Sequence, residues 1–210
     1  MPPTKMSLIV YGAGGHAAVV IDLARSLCPD RKISVFDAGS SCAPVLGLDV
    51  QPGLPSPDLY PPDHYEAVVA IGNCDARKTA ANRLCELGYG LATLIHPSAC
   101  VSISAHIGAG TVVCANAVVN PRARIATGCI VNTNATIEHD CNVAEFCHVS
   151  PGAVLAGGVC LGPQSWIGAN ATVRETCEIG GQVIVGAGSY VNTDLASGAT
   201  YFGSPARRAK

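Results

Sequence analysis

The chain has 210 residues, a formal net charge of −2 and a pI near 6.3, so it offers no basic field to a nucleic-acid backbone. That length accommodates one or two domains with a sizeable core. No apolar run reaches the roughly 18 residues that span a bilayer, and Met1 to Met6 lead into a strand and a glycine loop without a signal-peptide h-region, so the expected location is cytoplasmic.

Residues 1–95 alternate strand and helix signals. Ser7 to Tyr11 is a short apolar strand ended by Gly12-Ala13-Gly14-Gly15-His16. Ala17 to Leu27 follows as a helix with Val19, Val20, Leu23 and Leu27 available to bury. Ile33 to Phe36 is a second strand, closed by Asp37. Residues 38–65 are rich in Pro, Gly and Ser and read as loop, with one short strand near Leu48. Ala67 to Ile71 is a third strand leading into Gly72-Asn73, Ala76 to Leu87 a second helix ended at Gly88, and Leu91 to Ile95 a fourth strand. Such alternation predicts a small Rossmann-like parallel sheet with helices on its faces.

From Val101 to Ala196 the grammar changes. Sixteen positions at an interval of six, from Val101 through Ile137 to Val191, are all Val, Ile or Leu, and the other 80 positions of that stretch hold only nine more. Neither a helix nor an alternating strand has this period. It fits a parallel β-helix, in which each short straight segment sends one aliphatic inward and then turns a corner. Three hexads per triangular coil give five and a third coils. Ser197 to Lys210 breaks the repeat and is expected to cap it.

The eleven cysteines form no CxxC pair and no zinc-ligand spacing. Cys129, Cys141, Cys147 and Cys177 hold the fifth hexad position, elsewhere held mostly by Ala or Ser, and so read as small buried core residues. Many unpaired thiols fit a reducing compartment.

Several motifs spread over nearly the whole chain resemble the sialic-acid-type sugar O-acyltransferases, and most of all the N-acetyltransferases of nucleotide-linked 4-amino-4,6-dideoxy sugars. These are Val10-Tyr11-Gly12-Ala13-Gly14-Gly15-His16, Ile71-Gly72-Asn73 with Arg77, and Leu94-Ile95-His96-Pro97-Ser98-Ala99. They continue with Asn132-Thr133-Asn134-Ala135-Thr136-Ile137-Glu138-His139-Asp140-Cys141, His148-Val149-Ser150-Pro151-Gly152 and Gly203-Ser204-Pro205-Ala206. The resemblance implies a left-handed parallel β-helix over 96–210, a nucleotide-sugar-binding domain over 1–95, a homotrimer, and acetyl-CoA held between neighbouring subunits.

Acetyl transfer from a thioester needs a base, a donor for the developing oxyanion, and a slot that aligns both substrates. His139, third in its hexad and expected to point outward, is the candidate base, since imidazole titrates near neutrality. Glu138 and Asp140 are the nearest carboxylates in sequence; adjacent residues of an extended segment point opposite ways, so either needs a bent backbone to reach the ring. The resemblance favours Asp140. It also places His148, Gly157, Gly158 and Ala187 along acetyl-CoA, with the Gly157 N–H as oxyanion donor, although glycines here also suit a corner. His148 lies half a coil from His139 and so on another face of one prism.

The loop from Gly12 to Ala17, with Asp37 about 20 residues on, matches the loose dinucleotide pattern, but an open helix N-terminus accepts any pyrophosphate. By resemblance Gly14, Gly15 and His16 face the pyrophosphate or sugar, with Asp37 and Asn73 near the nucleotide; Asn73 equally suits a helix cap. Zinc is not expected, because His106, His139 and His148 differ in hexad position or lie far apart and a third ligand is lacking. Three other readings stay open: O-acetylation of a sialic-acid-like sugar, a non-catalytic β-helix scaffold, and an NAD-dependent enzyme resting on the glycine loop alone.

Overall fold

A computed structural model describes residues 6–39 and 43–209. The chain divides into two compact units at Leu94/Ile95.

The first unit is a parallel sheet with two helices. Its elements are β1 (Ser7–Tyr11), α1 (Gly15–Leu27), β2 (Ile33–Asp37), β3 (Val50–Pro52), β4 (Tyr65–Val69), α2 (Cys74–Glu86) and β5 (Gly90–Leu91), with strand order β3-β2-β1-β4-β5. β1 lies at the centre because Leu8, Ile9 and Val10 are apolar without alternation, as both faces of a covered parallel strand require. Pro52 ends β3 at the sheet edge, where a missing N–H costs no ladder bond. The sheet thus has five strands. The strand looked for near Leu48 is an isolated antiparallel bridge between Val45 and Leu48, and β3 follows it.

The expected strand from Leu91 to Ile95 is two elements. β5 pairs with β4, whereas β6 (Leu94–Ile95) joins a sheet of the second unit. The cause is the hexad phase: Ile95 stands six residues before Val101, so the repeat starts one hexad earlier than the Val101 count suggests.

The second unit is a parallel β-helix. Two-residue strands such as Thr136–Ile137, Asn142–Val143 and His148–Val149 follow one another at six-residue intervals and belong to three different sheets. As far as Thr172–Val173, each strand pairs in parallel with the strand 18 residues on, as in Thr136↔Val154 and Ile137↔Leu155. From Val113 to Val191 every inward aliphatic is at most 3% exposed. Each such burial contributes about 1.5–3 kcal/mol, so stability accumulates along the coil axis.

The fourth hexad position supplies the corners. Arg122, Asn134, Asp140, Phe146, Gly152, Gly158 and Gln164 all have φ between 54° and 70°, the left-handed region. The four core cysteines sit at the fifth position as expected, each at most 2% exposed. The thiols of Cys129, Cys141 and Cys147 donate to carbonyls of the coil, as Cys141 Sγ does to Ala156 O at 3.1 Å. After the repeat, Thr200–Phe202 pairs in parallel with Ile184–Val185 and then antiparallel with Arg207–Arg208. Leu195, Tyr201 and Ala206 close the end of the core.

Candidate active site

In the first unit the β1–α1 loop borders a cleft of about 380 Å³ with Tyr11, Gly12, Gly14, Gly15, His16 and Asp37 on its walls. Gly12 has a structural reason to be glycine: φ is +114°, and a Cβ there would lie 2.9 Å from Ala70 O. Gly14 and Gly15 differ. A Cβ on either would meet nothing within 4 Å, so these two glycines leave the cleft open. α1 starts without a side-chain cap, which suits the positive end of its dipole to an anion.

The Asp37 carboxylate is engaged on both oxygens. Oδ2 accepts from the Ala13 N–H and Oδ1 from the Gly39 N–H, each at 2.8 Å, so Asp37 shapes the glycine loop as well as lining the cleft. His16 also lines the cleft, and its Nε2 is buried without a hydrogen-bond partner among the described residues. Burial first and the charge of Arg77 second push its imidazole down to about 4, so it is neutral near pH 7. Asn73 does not line the cleft. Its Oδ1 accepts from Ala76 N–H at 2.9 Å and caps α2. Arg77 is 1% exposed and donates through Nη1 to the carbonyls of Ile71 and Gly72, which pins the β4–α2 loop.

In the second unit His139 and Asp140 form one corner of the coil. The left-handed backbone of Asp140 (φ +61°) is the bend that adjacent residues need in order to meet. His139 Nδ1 lies 2.8 Å from Asp140 Oδ2. A carboxylate only accepts, so Nδ1 donates, and in the neutral ring Nε2 then keeps its lone pair. The ring is 58% exposed. Glu138 turns elsewhere: Asn120, 18 residues earlier, donates to it at 2.8 Å.

Gly157 stands one coil beyond His139. A Cβ on it would fall 2.7 Å from His139 Cε1 and 2.8 Å from Nε2, so the imidazole rests over bare backbone. Gly158 is itself a corner with φ +70°, and its N–H donates to His139 O at 2.9 Å.

Asp140 has a partner that the sequence reading missed. Arg122 donates to both of its oxygens, Nε to Oδ1 at 2.6 Å and Nη2 to Oδ2 at 2.7 Å. The Arg122 hydrogen bonds first, and that of His139 second, hold the Asp140 carboxyl well below the usual carboxylate range. The signal was available: 122 and 140 are three hexads apart, so both occupy equivalent corners of successive coils.

His148 lies on another sheet. It stacks on Trp166 with ring centroids 5.3 Å apart and an interplanar angle of 9°, and its Nε2 is 3.1 Å from Asn132 Nδ2. The Trp166 Nε1–H donates to Ser150 Oγ at 2.6 Å. Together they open onto an apolar groove of about 410 Å³ whose floor includes Gly168, Ala169, Gly186 and Ala187. Its small residues suit a slender flexible chain. His148 and Ala187 therefore share one groove, while Gly157 and Gly158 lie at the His139 corner. No group of three His, Cys, Asp or Glu is placed to hold a metal ion among the described residues.

The chain is similar to known proteins over nearly its whole length. Residues 7–84 match the PglD N-terminal domain family. The acetyltransferase domain of PglB from Neisseria gonorrhoeae FA1090, solved also with acetyl coenzyme A, is 38% identical; the match covers 98% of this chain and 100% of that one at a TM-score of 0.91. Perosamine N-acetyltransferase from Caulobacter crescentus, solved with CoA and GDP-perosamine, is 33% identical over 98% of both chains at a TM-score of 0.89. WeeI from Acinetobacter baumannii AYE, at 24% identity and a TM-score of 0.86, shares the fold. The β-helix is of the left-handed type. On this likeness, extending across both units, the chain belongs to the family of acetyl-CoA-dependent nucleotide-sugar N-acetyltransferases.

Proposed function

We propose that the chain acetylates the amino group of a nucleotide-linked 4-amino-4,6-dideoxy sugar, with His139 as general base and Asp140 as its orienting carboxylate. One observation carries this reading: an exposed imidazole whose Nδ1–H is committed to Asp140 at 2.8 Å, leaving Nε2 to accept a proton beside a glycine. The sugar amine attacks the thioester carbonyl carbon. His139 Nε2 takes the proton that the nitrogen sheds as the carbonyl becomes tetrahedral. Collapse expels the CoA thiolate, which His139 then protonates. The Gly157 N–H makes no hydrogen bond among the described residues and is the proposed oxyanion donor.

The uncapped start of α1, Gly14, Gly15 and His16 suit the pyrophosphate end of the acceptor. His148 and Ala187 would flank the pantetheine arm in their apolar groove. Their groove and the His139 corner belong to different sheets of one coil, which is why the proposed active unit is a homotrimer, one copy's groove facing the next copy's corner. The test is turnover of a purified GDP- or UDP-linked 4-amino sugar, with a sialic acid as the competing acceptor. His139→Ala should lower kcat by about 10²–10⁴-fold, the usual contribution of a positioned base. Wild-type turnover by that variant, or preference for the sialic acid, defeats the proposal.

A further inference from the structure

We infer that Arg122 is a positioning residue for the transfer: by gripping both oxygens of Asp140 it sets the orientation and tautomer of His139. The inference rests on the reading of His139 as the base. Asp140 is 44% exposed and short, and with one partner alone its carboxylate would rotate into solvent. Arg122 removes that freedom. Its guanidinium plane meets the carboxylate edge-on through Nε and Nη2, a two-point contact that fixes direction as well as distance. Oδ2 is then held where it accepts from His139 Nδ1 at 2.8 Å. The order Arg122–Asp140–His139 runs along one edge of the coil, because residues 122 and 140 occupy left-handed corners 18 residues apart, with φ of 63° and 61°.

An ordinary exposed ion pair would contribute little to stability. What separates this pair from one is its third member, the imidazole. A neutral imidazole carries its proton on either ring nitrogen, and only the Nδ1–H form leaves Nε2 free to accept. The other charged or titratable groups nearby are Glu138, which is taken by Asn120, and His106 and Arg124, which line the adjoining cleft beside Arg122. Neither His106 nor Arg124 contacts the ring among the hydrogen bonds and ion pairs of the described residues.

The experiment compares Arg122→Ala and Arg122→Lys with wild type in steady-state kinetics, thermal melting and imidazole ¹⁵N spectra, with His139 assigned by difference from His139→Ala. Arg122→Ala should lower kcat by about tenfold, the low end for groups that orient a functional histidine, with both KM values changed less than about twofold and melting unaltered. The His139 signals should move from the Nδ1–H form to a mixture. Lysine should restore part of kcat, because an ammonium neutralises Asp140 without the two-pronged geometry. Unchanged kcat with an unchanged tautomer overturns the inference, as does a loss of kcat that follows a lowered melting temperature and is not rescued by lysine. The two layers fail separately. A fully active His139→Ala removes the base reading, whereas the Arg122→Ala spectrum still reports whether Arg122 governs the ring.

Discussion

Replacing Gly157 by alanine adds a single methyl group, and the geometry states what it should do. The new carbon would lie 2.7 Å from His139 Cε1 and 2.8 Å from Nε2. Non-bonded carbon contacts relax near 3.5–4.0 Å, so the imidazole must retreat by about 1 Å. That retreat pulls Nδ1 off its 2.8 Å contact with Asp140 and displaces the atom proposed to receive the proton. A displacement of about 1 Å at a reacting group costs on the order of 10²-fold in rate. The fold should not suffer, since the ring is 58% exposed and has room to swing, and Gly157 lies outside the left-handed region. Replacing glycine at a compatible backbone position stabilises by about 0.4–1 kcal/mol through the unfolded chain. The assay is release of free CoA thiol with a 4-amino sugar nucleotide as acceptor, paired with a melting curve. Gly158→Ala is the control. Its Cβ would find only Thr176 Cγ2 at 3.6 Å and leave the imidazole in place, but φ is +70°, so it should lose about 1–2 kcal/mol of stability and lose less rate than Gly157→Ala. Wild-type turnover by Gly157→Ala, or the two variants exchanging phenotypes, would refute the reasoning.

Two further outcomes are expected. Burial pushes the thiols of Cys114 and Cys141 up to about 11, so neither should react with iodoacetamide at pH 8 until denaturant is added, which mass spectrometry of tryptic peptides reads directly. His16 titrates at about 4 in the fold against an ordinary 6.5, so the unfolded chain binds the extra proton between those values. Stability from this group is therefore complete above pH 6.5 and lost as the pH falls towards 4. In melting curves between pH 7 and pH 4, His16→Gln should show a shallower acid decline than wild type; identical slopes would place the acid sensitivity elsewhere.

The corner and the cleft were legible to different depths. A period of six with Val, Ile or Leu at one phase points to a parallel β-helix, whose hand only the resemblance supplied, because an inward side chain every sixth residue is incompatible with helix or flat sheet. The same counting placed the four cysteines in the core and marked His139 as outward. It also contained the Arg122–Asp140 pairing, since residues 18 apart stack, but that inference requires treating the coil as a two-dimensional lattice and not as a string. The strand boundary at Leu91 to Ile95 was misplaced because an apolar run carries no mark of which sheet will accept it, and only the phase of Ile95 decides.

What the amino-acid order determined on its own was the architecture and the identity of the outward histidine, both consequences of local periodicity. What required the tertiary structure was every choice between competing partners. Asp140 reaches the imidazole and Glu138 does not, because the corner residue adopts a left-handed backbone. Asn73 closes a helix instead of facing the cleft, because its carbonyl oxygen falls within reach of an unpaired N–H. Asp37 holds the glycine loop through Oδ2, while its Oδ1 accepts from the Gly39 N–H. Such choices turn on ångström-scale distances between residues, and spacing along a chain does not contain them until the chain has been wound.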